Sequence, residues 1–272
     1  MAIVTTRAVL LRAHPFSESS RVLRFLTEDH GVVGVMGKGV RKGRRGHGLD
    51  LFGETSLTLH VKEGRDLQTL RETHPLQDRR RLGGHPLRLA AAGVLAELVL
   101  RHHGEAPSPE VYRGLSRGLD DLQSAAPSAV AGVLLARGWV LVALLGFHPQ
   151  VDECVRCGRT PGEEEMGRFD FEAGGVRCAA CARGMVGPRV GPGARAQLGR
   201  LLRGEVPEAL TRPRAHLQLL SDFITHHVSG TRPLEAFRML ATFLPPDPPP
   251  GEEGGADEED DAGSSRERAG DA

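Results

Sequence analysis

Thr55-Ser56-Leu57-Thr58-Leu59-His60-Val61 alternates apolar and polar side chains. In an extended chain this puts the leucines and the valine on one face, the pattern of a half-buried strand. Glu63-Gly64 supplies a turn, and residues 66–73 read as the returning strand. Upstream, residues 3–12, 20–27 and 31–38 are rich in β-formers, with Asp29-His30-Gly31 a tight turn between the last two. Five short strands in about 75 residues is the count of a small closed barrel, so an OB-fold is expected, with SH3-like barrels the nearest rival.

After Pro75 the period changes to that of a helix. In residues 86–101, Leu87, Ala91, Val94, Leu95 and Leu98 form one stripe, with Pro86 suited to the first turn. Residues 127–147 are apolar almost all round, as the central helix of a bundle must be. Arg137 is the odd charge there, and a carboxylate such as Glu97 is its expected partner. Helical patterns resume over 193–203, 213–227 and 232–244. The fold class is therefore α+β and multi-domain: a barrel over 1–78, a helical domain in two parts (79–147 and 187–244), and an insertion over 148–186 that holds the cysteines. Residues 245–272 offer almost no apolar surface and read as a disordered acidic tail.

The 272 residues carry 35 bases and 35 acids, but the balance conceals a split. Ten acids and two arginines lie beyond Leu244, which leaves 33 bases against 25 acids in the rest. A basic body points to a polyanionic partner, most often nucleic acid. Only Lys38, Lys42 and Lys62 are lysines; the other 32 bases are arginine, whose planar guanidinium suits bidentate phosphate contacts. The longest unbroken apolar stretch, residues 139–147, is short of the roughly 20 residues of a membrane span. The N-terminus lacks the regions of a signal peptide, so a cytoplasmic protein is expected.

All four cysteines fall in two pairs, Cys154-Val-Arg-Cys157 and Cys178-Ala-Ala-Cys181, twenty residues apart. Two such knuckles facing each other complete a thiolate tetrahedron around one structural zinc, with no position left open for water. Arg168-Phe169-Asp170-Phe171 with Gly174-Gly175 reads as a hairpin over the metal. The second strong feature is Gly37-Lys38-Gly39-Val40-Arg41-Lys42-Gly43-Arg44-Arg45-Gly46, with five bases, interleaved glycines and no acid. Glycine lets the backbone approach a phosphate, and the bases release its counterions, so the loop reads as a clamp for a nucleic-acid backbone. It is not a P-loop: Val32 stands where the first glycine is needed, and Gly39 where Ser or Thr must hold the metal. The pairs His102-His103 and His226-His227 read as exposed or capping residues, and Glu163-Glu164-Glu165 as a solvated loop. No side chain has a recognisable catalytic setting, so the chain is not read as an enzyme.

Taken in order, these features resemble the bacterial RecO recombination-mediator family. The strings that carry the likeness are Phe16-Ser17-Glu18-Ser19-Ser20, Leu26-Thr27-Glu28-Asp29-His30-Gly31, the basic loop and Leu51-Phe52. Further on come Leu144-Leu145-Gly146-Phe147-His148-Pro149, Asp152-Glu153-Cys154, Cys157-Gly158, and Phe169 with Gly174-Gly175 before Cys178. The likeness covers about residues 1–244. It implies an N-terminal OB-fold, binding of single- and double-stranded DNA, and annealing of complementary strands. It also implies contact with the single-strand-binding protein and, with RecR, help in loading RecA. The implied DNA contacts are Lys38, Arg41, Lys42, Arg44 and Arg45, and the zinc ligands Cys154, Cys157, Cys178 and Cys181. The barrel's only aromatics are Phe16, Phe25 and Phe52. Some of these must fill its core, so base stacking is expected to be minor beside phosphate contacts. The alternative reading is a zinc-ribbon RNA-binding or transcription-associated module.

Overall fold

The structure, a computed structural model, describes residues 2–40, 49–102, 104, 106–228, 230 and 232–247. Five strands build its first part: β1 (Ala2–Pro15), β2 (Arg21–Thr27), β3 (Gly31–Gly37), β4 (Glu54–Val61) and β5 (Leu67–Gln77). They close into a barrel in the order β1-β2-β3-β5-β4, with β3 and β5 parallel and every other pair antiparallel. Closure depends on β1, which is long enough to pair with both β2 and β4 and changes register with β2 between Leu10 and Arg12. Leu57 and Leu59 point inward, as their alternation requires, beside Ala8, Leu10, Leu23, Phe25 and Val35. On the outer face Val9, Leu11, Leu26 and Val32 join the core of the helical part. Over residues 8–11 both faces of β1 are thus buried, which is why Ala8-Val9-Leu10-Leu11 is a continuous apolar run. The strand β5 does not stop at Pro75. It continues to Gln77, and the ladder shifts register beside the proline, where the missing N–H costs least.

The helical part comprises α1 (Pro86–His102), α2 (Pro109–Ser124), α3 (Val130–Leu144), α4 (Pro192–Leu202), α5 (Pro213–His227) and α6 (Glu235–Ala241). Periodicity alone misses α2, although Ser108 caps it through the Val111 N–H and Pro109 opens it. Helix α3 lies at the centre, packed by α1, α2, α4 and α5. Residues 127–144 are apolar and long enough to cross a membrane, but here the apolarity serves burial: Trp139 is fully enclosed, its ring edge-on to Phe223 at 5.2 Å. Arg137 pairs with Asp121 at 2.6 Å, not with Glu97. Glu97 instead accepts the N–H groups of Glu235 (3.1 Å) and Ala236 (2.9 Å) at the start of α6 and pairs with Arg101 at 2.7 Å. A carboxylate at a helix N-terminus satisfies donors that have no partner within the helix.

The cysteine-bearing insertion forms a three-stranded sheet, β7-β6-β8, from β6 (Gly167–Asp170), β7 (Gly175–Arg177) and β8 (Arg189–Val190). The expected hairpin is present as β6 and β7, and Gly175 is needed there because a Cβ would meet the Gln150 carbonyl oxygen at 2.2 Å. Phe169 and Val176 are fully buried and belong to the helical core, so the insertion is fused to the bundle.

The chain beyond Leu244 departs from the expected tail for three residues. Asp247 accepts the N–H groups of Arg214 and Ala215, both at 2.9 Å, and Arg214 donates to the carbonyl of Pro245 at 2.6 Å. The rest of the acidic tail lies outside the described residues.

Candidate metal centre and nucleic-acid interface

The sulfurs of Cys154, Cys157, Cys178 and Cys181 all lie within 4.8 Å of one another, and none is in a disulfide. Four sulfurs bonded at about 2.3 Å to one tetrahedral ion stand about 3.8 Å apart. Cys157 and Cys178 are 3.9 Å apart, so the spacing fits such an ion. Each knuckle is held by its own turn: the Gly158 N–H returns to the Cys154 carbonyl at 2.9 Å, and that of Ala182 to the Cys178 carbonyl at 2.9 Å. The electrostatics are uneven. Burial pushes the Cys154 thiol up, but the N–H groups of Cys178, Arg156 and Cys157 together outweigh it and bring it down to about 6. Cys178 is lowered too, most of all by the Cys181 N–H. Cys181, sharing its proton with Cys178 and Cys157, is pushed up to about 12. Four sulfurs this close do not all ionise unless a cation neutralises them, the condition that a bound metal supplies.

Glu165 is not a solvated loop residue. Its carboxylate accepts the Gly162 and Ala179 N–H groups at 2.8 Å each and pairs with Arg159 at 2.6 Å, which ties the loop to both knuckles. The Arg159 guanidinium and these two N–H groups hold its carboxyl at about 2.

His226 is exposed, as expected, and His102, His226 and His227 stand in the last turns of α1 and α5, but His102 and His227 are half-buried against aromatic rings. His227 packs against Phe223 at 4.4 Å and His226 at 4.8 Å, and His102 meets Phe147 edge-on at 5.0 Å. Phe169 and Phe171 of the insertion meet the same end of α5, at 6.0 Å from Phe223 and 6.4 Å from His226, and burial pulls the pKa of His227 down. His103 lies outside the described residues.

The basic loop follows β3. Lys38 is exposed just past β3, and Gly39 takes φ +72°, a left-handed turn open to glycine. Val40 and Leu49 are both buried in the barrel core. The two residues bracket the loop and fix both of its roots in the barrel. Arg41, Lys42, Arg44 and Arg45 lie outside the described residues.

Between barrel and bundle stands a buried ionic joint. The fully enclosed Arg79 donates to the Phe52 carbonyl (3.0 Å), to Ser116 Oγ (2.7 Å) and to Asp120 (2.7 Å), and pairs with Glu54 at 3.4 Å. Glu54 also binds Arg7 at 2.5 Å and accepts the Ser116 hydroxyl at 3.0 Å. Sequence reasoning does not find this joint, because Asp78-Arg79-Arg80-Arg81 gives no sign of which arginine is enclosed.

Residues 1–79 match the family model described as Recombination protein O N terminal, and residues 84–234 match Recombination protein O C terminal. The chain belongs to the RecO family. The gap between the two RecO matches falls at the 3-10 turn Arg80–Gly84, directly after the buried Arg79. Proteins named DNA repair protein RecO are similar along most of their length. That of Anaeromyxobacter sp. (strain K) is 36% identical over 253 residues, covering 87% of this chain and 95% of the relative. That of Desulfitobacterium hafniense is 30% identical over 222 residues, 79% of this chain and 78% of the relative. Membership of RecO places the chain in DNA repair and recombination.

Proposed function

We propose that this chain is a DNA-binding recombination mediator and not an enzyme. Its barrel acts as an OB-fold that binds single- and double-stranded DNA, and it anneals complementary strands. With RecR it helps to load RecA onto DNA coated by single-strand-binding protein, in the cytoplasm beside the nucleoid. One zinc ion per chain, held by Cys154, Cys157, Cys178 and Cys181, fixes the insertion and takes no part in chemistry, since four thiolates leave no open position.

The observation that carries this reading is the anchoring of the basic loop. Val40 and Leu49 are core residues, and the eight residues between them include Arg41, Lys42, Arg44 and Arg45. Four bases on a segment rooted in the barrel at both ends displace counterions from a phosphate backbone without regard to sequence.

A salt series tests it. Three to five phosphate contacts on a single strand give a log–log slope of roughly −2 to −3.5. Replacing Arg41, Lys42, Arg44 and Arg45 by alanine should flatten that slope. An unchanged slope would move the DNA site elsewhere.

A further inference from the structure

The barrel's three aromatic residues divide sharply. Phe25 and Phe52 are 0% and 3% exposed, whereas Phe16 is 67% exposed. An exposed phenyl on a small domain costs solubility, and nothing in the packing of this barrel calls for it.

Phe16 opens the turn of residues 16–20 that joins β1 to β2, and the turn is braced from within. The Phe16 N–H donates to the Ser20 carbonyl at 3.0 Å, the Ser17 N–H donates to the same carbonyl at 3.3 Å, and the Ser20 N–H donates to Ser17 Oγ at 3.2 Å. The ring is therefore carried on a fixed backbone. The register places it near the root of the basic loop: Pro15 pairs with Arg21, and Arg21 pairs on its other side with Gly37, the residue before Lys38. Two strand spacings, about 10 Å, separate Pro15 from Gly37. Arg21 stands between them without a carboxylate partner among the described residues, and Glu18 in the same turn is already engaged within the protein. One end of the barrel thus carries an exposed aromatic ring, an uncompensated arginine and the roots of the basic loop.

We propose that Phe16 is a base-stacking residue that lets this site distinguish single strands from duplex. The inference rests on the DNA-binding reading above and deepens it. Arg21 and Lys38 hold the phosphates, which single and double strands both present. An unpaired base of a single strand can lie on the Phe16 ring, while in a duplex each base face is already covered by its neighbours. Stacking of this kind is indifferent to sequence, because every base has a π-face.

The test compares wild type with Phe16→Ala, Phe16→Leu and Phe16→Trp, by anisotropy on a labelled single strand and on a long duplex of the same sequence. One stacked base is worth roughly 5- to 150-fold in affinity. Phe16→Ala should lose that much on the single strand, keep duplex affinity within about twofold and leave the salt slope unchanged. Phe16→Leu, apolar but without a π-face, should behave like the alanine variant. Phe16→Trp should retain affinity, and its emission should be quenched by the single strand, against the constant background of the buried Trp139. Equal single-strand affinity in wild type and Phe16→Ala would overturn the proposal, as would an equal loss on both substrates. A wild-type protein that binds neither substrate would refute the DNA-binding reading itself, a result these two cannot imitate.

Discussion

Replacing Arg79 by methionine keeps most of the side-chain volume and removes every hydrogen bond that its guanidinium makes across the barrel–bundle joint. The side chain is 0% exposed, as against 71% for its neighbour Arg80. Asp120, Glu54, Ser116 and the Phe52 carbonyl each lose a donor, and they are not equal. Asp120 is 36% exposed, so water and Gln77 (2.6 Å) can serve it. Glu54 is 2% exposed but keeps Arg7 and the Ser116 hydroxyl. The Phe52 carbonyl loses its Arg79 donor inside the joint, and Phe52 itself is held at a positive φ of 66°. Breaking a buried pair costs about 3–5 kcal/mol, and Glu54's two remaining partners put this case at the lower end, about 3 kcal/mol. For a chain of this size that corresponds to roughly 6–12 °C in Tm. Thermal unfolding followed by circular dichroism reads the shift, with Arg80→Met as a control that should move the midpoint by less than about 2 °C. A shift for Arg79→Met no larger than that of the control would refute the claim that this guanidinium holds the two parts together.

Two further outcomes follow from the site and the bundle. Elemental analysis of protein purified without chelators should find one zinc per chain, and Cys178→Ser should lose it and expose residues 148–186 to protease, since structural zinc contributes about 10–16 kcal/mol of apparent binding energy; protein without metal would refute the site. Burial lowers the pKa of His216 against the opposing pull of Asp247, and burial lowers that of His227 also. A histidine whose folded pKa lies below its unfolded value of about 6.5 contributes stability that is present above that pH and lost as pH falls below it. The urea midpoint should therefore fall between pH 7.5 and pH 5.5, and less steeply in His216→Gln; a midpoint that does not change would contradict neutral, buried imidazoles.

The barrel was legible because its strands carry local signals: alternation in residues 55–61, and turns at Asp29-His30-Gly31 and Glu63-Gly64. The cysteine cluster was legible for a different reason, since two pairs of fixed spacing have few other uses in a chain with no further cysteine. What stayed hidden depends on tertiary partners. Arg137 meets Asp121 because α2, which periodicity misses, packs on α3, while Glu97 is taken by the N–H groups that open α6. Glu165 looks like one of three equal acids in the sequence, and only the fold brings it the N–H groups of Gly162 and of Ala179 in the second knuckle. His226 is exposed as its sequence suggests, but nothing in α5 signals that its neighbour His227 lies half-buried against Phe223, with the insertion's Phe171 6.4 Å from His226. Phe16 could not be told from Phe25 and Phe52, for only the closed barrel decides which ring is left outside.

The central claim is that this chain brings complementary strands together on a coated template. The most direct measurement is annealing of two complementary oligonucleotides, each saturated with single-strand-binding protein, followed by fluorescence transfer between end labels. Stoichiometric amounts of this protein should accelerate pairing severalfold over the coated strands alone. The variant with Arg41, Lys42, Arg44 and Arg45 replaced by alanine should lose that acceleration, and it should weaken as salt rises. Pairing no faster than the spontaneous rate, under conditions where the protein binds the same strands uncoated, would contradict the account.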